Sequence, residues 1–250
     1  MSLAPRGFPD LVERRREPEL MDGYGLDRRL HEQALDALGR VNRVSLTAAR
    51  AWSEIERLAR AGEPPVRVLD VACGGGDVLI DLAKRARAGR VEVDLLGCDV
   101  SPVALERAHE RARALGVNAG DAGPALRFEQ RDVLDEGLPP GYRLVLCSLF
   151  LHHLSDEGAV RLLRMLAAAS GSVLLVQDLR RTPAGYALAW LGLHLLTRSV
   201  VARIDGLVSV RAAFTLPEAR ALAREAGLED VEVFPCWPQR FALRWTRRGP

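Results

Sequence analysis

Apolar and polar positions follow two rhythms along this chain. Up to about residue 61 the rhythm is helical: Leu30, Ala34, Leu38 and Val41 recur at helical spacing, then Ala48, Ala51, Trp52, Ile55 and Ala59 do the same. Ser45 is placed to cap the second of these helices, and the prolines of GEPP (62–65) end it, because a residue before proline avoids the helical region. Residues 1–20, with three prolines and clustered charge, read as a loosely held arm. From Val66 onward short strand-like runs alternate with helical patterns. The runs are Val66–Val71, Val93–Cys98, Ala125–Gln130, Arg143–Cys147 and Ser172–Gln177. The intervening inner faces are Leu79, Leu82, Ala83 and Ala86, then Leu105, Ala108, Ala112 and Leu115 behind a Ser101-Pro102 cap, then Ala159, Leu162, Leu163, Leu166 and Ala167 behind Ser155. A glycine-rich loop, 116–124, precedes the third run. Thr215, Glu218 and Gly227 bound a last helix, and strands near 230–235 and 240–246 form a terminal hairpin.

This order predicts an α/β three-layer sandwich: a Rossmann-like, seven-stranded, mostly parallel sheet with an antiparallel C-terminal hairpin and an N-terminal helical extension. Residues 1–62 are read as arm and helical cap and 63–250 as the main domain. Residues 182–204 interrupt the rhythm. No charge occurs from Thr182 to Thr197, yet the stretch holds Pro183, two glycines and His194 and is short of the ~20 residues a membrane span needs. It reads as a buried or lid helix walled by Tyr186, Trp190, Leu193 and His194, with a transient membrane-surface contact as the other reading. Trp52 is a candidate for the opposite wall.

Composition narrows the classes without naming one. The formal charge is +2, and 35 basic residues, of which only Lys84 is a lysine, are interleaved with 33 acids; this is no nucleic-acid stripe. Cys73, Cys98, Cys147 and Cys236 have neither zinc spacing nor the pattern of a disulfide framework, and the first twenty residues lack the apolar core of a signal peptide. The expectation is a cytoplasmic protein with reduced thiols and no metal site.

Chemistry collects where the strands end. In VRVLDVACGGGD a buried strand runs into three glycines and then a helix. The third glycine of a dinucleotide fingerprint is absent, since position 79 is Leu, and the lysine of a phosphate loop is absent too. A nucleoside therefore suits the turn better than a pyrophosphate, and a nicotinamide dehydrogenase is disfavoured. Asp99 ends the second strand, where a carboxylate can hold a ribose or simply complement a helix N-terminus. Asp132 follows the third strand as a partner for an exocyclic amine or as a plain turn acid. Ser148, His152 and His153 follow the fourth, and Asp178 follows the fifth.

The segments VLDVACGGGD, LLGCDVSPVALERA, FEQRDVLDEGLP and YRLVLCSLFLHHLSD, in that order, resemble the class I S-adenosylmethionine-dependent methyltransferases, and the first is most similar to the ubiquinone/menaquinone branch. The resemblance spans about residues 66–246. Two departures stand out: Ala72 replaces the family's common first glycine, and SLFLHHLSD differs from the quinone enzymes' own segment. The resemblance implies S-adenosylmethionine as cofactor. It implies Asp70, Ala72, Gly74 and Gly76 around the methionine part, Asp99 on the ribose, Val100, Asp132 and Val133 along the adenine, and Cys147 and Ser148 near the sulfonium. An imidazole ionises near neutral pH, so His152 or His153 could take a proton from an acceptor hydroxyl while Asp178 orients one of them; the alternative for either is loop packing. The expected acceptor is small and largely apolar, a phenolic, quinone-like or polyketide-like hydroxyl. Carbon methylation of a similar ring and a silent cofactor-binding regulator are the alternatives. Arg180 and Arg181 are either contacts for an acidic substrate group or solvated surface.

Overall fold

The structure, a computed structural model, describes residues 9–23, 25–62, 64–117 and 125–248. The arm before residue 9 and most of the 116–124 loop lie outside these. Seven strands form one sheet: β1 (Val66–Val71), β2 (Val93–Asp99), β3 (Ala125–Gln130), β4 (Tyr142–Ser148), β5 (Ser170–Leu179), β6 (Glu232–Cys236) and β7 (Arg240–Thr246). Their order across the sheet is β3-β2-β1-β4-β5-β7-β6. The first five run parallel, while β7 is antiparallel to both β5 and β6. Strand order reverses between β1 and β4, so the crevice beyond their carboxyl ends is the place where this topology binds ligands.

Side-chain alternation builds the two cores. Leu69, Val71, Val145, Cys147, Leu174 and Val176 face one layer with α6 (Asp156–Ala169) and α9 (Leu216–Glu225). Val66, Val68, Leu144, Leu146, Val173 and Leu175 face the other, with α2 (Thr47–Ala61) and α3 (Asp77–Gly89). α4 (Pro102–Ala114) covers β2 and β3, and one helical turn, α5 (Val133–Glu136), joins β3 to β4.

The second N-terminal helix is capped one residue later than its sequence pattern suggests. Ser45 closes α1 (Arg28–Val44) instead of opening α2; Leu46, at φ 58°, makes the corner. The Ser45 hydroxyl turns back to the carbonyl of Asn42. This corner is pinned over the ends of β5 and β7. Gln177 Nε2 donates to the Thr47 carbonyl at 3.1 Å, and the buried Arg240 donates to Thr47 Oγ1 at 2.8 Å.

The apolar insertion is two helices, α7 (Pro183–Leu196) and α8 (Val200–Ala212), not one. The break is chemical: Thr197 Oγ1 accepts the Ser199 N–H, and Ser199 Oγ then caps α8 by accepting from Ala202. Residues 9–23 are also not loose. Arg15 N–H donates to the Arg211 carbonyl, the Leu20 and Met21 N–H groups donate to the buried Asp205 carboxylate, and Glu19 is buried against α8. The arm is a strap laid across the carboxyl edge of the sheet.

Candidate active site

Asp70 lies near the end of β1, 2% exposed, on the same sheet face as Val68 and, across β4, Leu146. Its Oδ1 has no hydrogen-bond partner among the described residues. Burial, with a smaller push from Asp99, raises its pKa to about 7. The chain then turns through Ala72 at φ 56° and Gly74 at φ 53°, both left-handed. A glycine fits the first of these without a Cβ penalty, which explains why Ala72 is the unusual residue there. A Cβ on Gly74 would meet nothing within 4 Å, whereas one on Gly76 would strike the Phe128 ring at 2.7 Å. The turn is therefore packed on one side and open on the other. Asp99 ties it to the next strand: Gly74 N–H donates to Asp99 Oδ2 at 2.7 Å, and Ser101 N–H to Oδ1 at 2.9 Å.

Val100 is exposed beside Asp99. Asp132 caps α5 by accepting the Leu134 N–H at 3.0 Å, so the turn-acid role is realised in this structure; Val133 is buried in the core. Cys147 is fully buried, and burial drives its thiol well above the usual range. Next to it the Ser148 Oγ is buried with no hydrogen-bond partner among the described residues. Two orphaned polar atoms, on Asp70 and Ser148, thus sit on adjacent strands at the switch point. Each such group costs about 1–3 kcal/mol unless a ligand supplies a partner. The carboxylate is complementary to an ammonium or sulfonium, so the residues present fit a cationic amino-acid nucleoside.

On the other side of the crevice, His152 and His153 form a 3-10 turn (Leu151–His153) after β4. His152 Nδ1 is 2.6 Å from Asp178 Oδ1, and the His152 backbone N–H donates to Asp178 Oδ2 at 3.1 Å. On its far side, Nε2 is 3.6 Å from Glu19 Oε1, which accepts the Ser209 hydroxyl at 2.5 Å. Burial alone would lower the His152 pKa, but the charge and hydrogen bond of Asp178, with Glu19 behind, hold it up at about 9. Burial likewise opposes the Asp178 charge, and His152 overcomes this and keeps that carboxyl below its usual range. His152 is thus an imidazolium sandwiched between two carboxylates. His153 is different: its side chain is 24% exposed against 3% for His152, and its Nε2 is 4.0 Å from Glu19 Oε1. The two rings lie 4.3 Å apart. The donor atoms of Glu19, His152 and His153 lie within 4.8 Å of one another, the arrangement in this crevice that could hold a cation; a proton on His152 meets the same need.

Several expected contacts fall elsewhere. Trp52 packs beside Gly89 at the C-terminal end of α3, against the opposite edge of the sheet from the crevice. Tyr186 and Leu193 are buried, but Trp190 and His194 lie on the outer side of α7, with His194 Nδ1 bonded to the Trp190 carbonyl. Arg181 neither meets solvent nor awaits substrate. It is 3% exposed, paired with Glu218 at 2.6 Å, and donates to the carbonyls of Leu11, Val12 and Ala213. Arg180 Nη2 is taken by Gln239 Oε1. Glu19, Ser209 and Arg14 are the residues the pattern of the chain did not reveal. Arg14 donates to the carbonyls of His152 and Leu154 and stacks 3.7 Å over the Phe214 ring. Arg14 and Glu19 join the site across well over a hundred residues of sequence, and their short charged segment carries no periodicity that would announce them.

A sheet of this order, with a glycine turn and an acid after β2 at its switch point, defines the Rossmann-like methyltransferase fold. Solved structures agree. Magnesium protoporphyrin IX methyltransferase from Synechocystis PCC 6803 with bound SAH is similar at a TM-score of 0.57 over 91% of each chain, with 18% identity. The plantazolicin methyltransferase BpumL with SAH is similar at 0.63 over 91% of this chain and 93% of that one, with 17% identity. Residues 68–170 match the methyltransferase domain family. The demethylmenaquinone methyltransferase of Deinococcus radiodurans is 32% identical over 189 residues, 74% of this chain and 71% of that protein. The ubiquinone biosynthesis O-methyltransferase of Pseudomonas aeruginosa is 30% identical over 183 residues, 70% and 69% respectively. The chain belongs to the class I S-adenosylmethionine-dependent methyltransferases, and S-adenosylmethionine is its cofactor.

Proposed function

We propose that this enzyme methylates the ring hydroxyl of a small, largely apolar phenol or quinone-like acceptor, and that His153 is the base that takes the hydroxyl proton. The observation that carries this reading is the contrast between the two histidines: one buried and fixed as an imidazolium, the other partly exposed beside it.

In this reading Asp70, Ala72, Gly74 and Gly76 hold the methionine part of the cofactor, with Asp70 and Ser148 using the oxygens that lack partners. Asp99 takes the ribose hydroxyls, since a carboxylate oxygen accepts more than one hydrogen bond. Val100, Asp132 and Val133 border the adenine, and the Cys147 and Ser148 backbone lies near the sulfonium. Bound S-adenosylmethionine supplies an electrophilic methyl group. The residues of the chain then have three tasks: to orient the acceptor in line, to exclude water, and to receive one proton. His153 receives it, and Glu19, 4.0 Å from its Nε2, stabilises the cation formed. His152 and Asp178 are positioning residues. The Asp178 carboxylate grips both the ring and the backbone of His152 and so fixes the turn that carries His153. The buried Tyr186 and Leu193 of α7 border the acceptor. The two named relatives, a demethylmenaquinone methyltransferase and a ubiquinone biosynthesis O-methyltransferase, support a ring of this kind. A deprotonated ring hydroxyl is nucleophilic at oxygen and at the adjacent carbon, so carbon methylation is the second reading.

His153→Ala tests the assignment. Turnover with a prenylated phenol should fall by about 10²–10⁴-fold, while S-adenosylhomocysteine affinity by calorimetry stays within about twofold. Full activity in His153→Ala rules His153 out.

A further inference from the structure

We propose that the outward face of α7, together with the arginine cleft at its C-terminal end, docks on an anionic lipid bilayer. α7 is apolar on every side, a composition expected of a helix buried all round, yet it is covered on one side only. Tyr186 and Leu193 are packed inward. Leu191 and Leu195 are exposed on the opposite side, with Leu195 at 76%; Trp190 is exposed on the flank, one turn from both Tyr186 and Leu193, and Val200 at the start of α8 is 58% exposed. Side chains this apolar and this exposed, gathered on one face, mark an interaction surface.

Charge selects the partner. No acidic residue occurs between Asp178 and Asp205, and Asp205 is itself buried. Arg40, Arg198 and Arg203 converge with His194, Leu195 and Leu196 on one open cleft. Arg40 Nε donates to the Leu196 carbonyl at 2.9 Å and Arg203 Nη2 to the Thr197 carbonyl at 2.6 Å; no salt bridge to a carboxylate is found for any of the three arginines among the described residues. Backbone carbonyls hold the Arg40 and Arg203 guanidiniums in place but do not neutralise them. An apolar face rimmed by uncompensated arginine fits acyl chains below and phosphate headgroups at the rim. At 14 residues α7 is about 21 Å long and lies on the surface; no helix among the described residues is long and apolar enough to cross a membrane. α8 also touches the His152–His153 turn, so the docked face is one helix away from the proposed base. This inference goes beyond the acceptor assignment and is read without any turnover.

Co-sedimentation of the full chain with vesicles tests it. The protein should pellet with phosphatidylcholine vesicles containing about 30% phosphatidylglycerol, stay in solution with phosphatidylcholine alone, and be released at about 0.5 M salt. Leu195→Glu and Arg198→Glu should each lower the partition coefficient at least tenfold, with an unchanged melting temperature and unchanged S-adenosylhomocysteine affinity. Leu115→Glu, on an exposed apolar position of the α4 end, should bind as the parent does. Failure to pellet with anionic vesicles, equal binding to both compositions, or parental binding by both α7-face variants would overturn the proposal. So would a dimer that Leu195→Glu dissociates in the absence of vesicle binding.

Discussion

At the scale of single residues, environment divides the labour between chemically identical groups. His152 and His153 are neighbours in sequence, but only His152 is locked between Asp178 and Glu19, and a group with a pKa of about 9 is already protonated at neutral pH. His152→Asn should therefore act mainly on stability and on the position of the turn: a lower melting temperature, with part of the turnover surviving. His153→Ala should keep the melting temperature and lose turnover. Interchange of these two outcomes would exchange the roles of the pair. Asp70 shows the opposite balance. Its buried carboxyl, raised to about 7, is a cost that the folded protein carries until a cationic ligand arrives. Asp70→Asn should stabilise the ligand-free protein by roughly 1–3 kcal/mol at pH 8 and weaken S-adenosylmethionine binding by tenfold or more, measured by thermal melts and calorimetry. A variant that loses affinity and stability together would contradict this view of Asp70.

At the scale of elements, what could be read from the chain was what periodicity encodes. The parallel strands, the glycine turn and the acids at the strand ends were legible because each strand's apolar run stops where the sheet's carboxyl edge begins. Asp99 is recognisable in sequence for this reason. The α1–α2 corner was less so: serine is a good cap for either helix, and only the left-handed Leu46 and the anchor of Thr47 on Arg240 decide which. The apolar stretch 182–204 concealed a helix break, because the Thr197 hydroxyl accepts the Ser199 N–H and the Ser199 hydroxyl caps the next helix without a glycine or proline. The strap at 9–23 was illegible, since its hold comes from long-range bonds. Those bonds give a test. Arg14→Ala removes donors to the carbonyls of Ala212, His152 and Leu154. Turnover should fall about tenfold through loosening of the histidine turn, and cofactor affinity should not change; an equal loss of both would mean that the strap supports the cofactor half of the crevice instead.

At the scale of the whole molecule, three buried titrating groups shape stability against pH. His152 has a native pKa above its unfolded value of ~6.5, so its contribution, of the order of 3 kcal/mol, is full below that pH and is lost as pH rises through about 9. Asp178, depressed in the native state, contributes above its unfolded value of ~3.9 and loses that as pH falls through its native value. Asp70, raised to about 7, costs stability as pH climbs from ~3.9 and costs most above 7. The ligand-free protein should be most stable at about pH 4 and lose stability as pH rises, first through the Asp70 range up to about 7 and then through the His152 range up to about 9. The rise in melting temperature given by S-adenosylhomocysteine, whose ammonium offsets the Asp70 charge, should be larger at pH 8 than at pH 6. A shift that is flat with pH would remove Asp70 from the ligand's contacts. Chelation belongs at this scale too: with His152 protonated, the Glu19 cluster needs no cation, and a chelator should leave turnover unchanged. Loss of activity restored by a divalent ion would make the same three residues a metal site.

The central claim is that a proton is taken from a ring hydroxyl by His153 as the methyl group arrives. Transfer of a ¹³C-labelled methyl from S-adenosylmethionine to a prenylated phenol, followed by carbon NMR of the product, tests it most directly. Label is expected on oxygen, formed by the native enzyme and reduced at least a hundredfold in His153→Ala. Label on a ring carbon, or undiminished oxygen methylation by the variant, would contradict it.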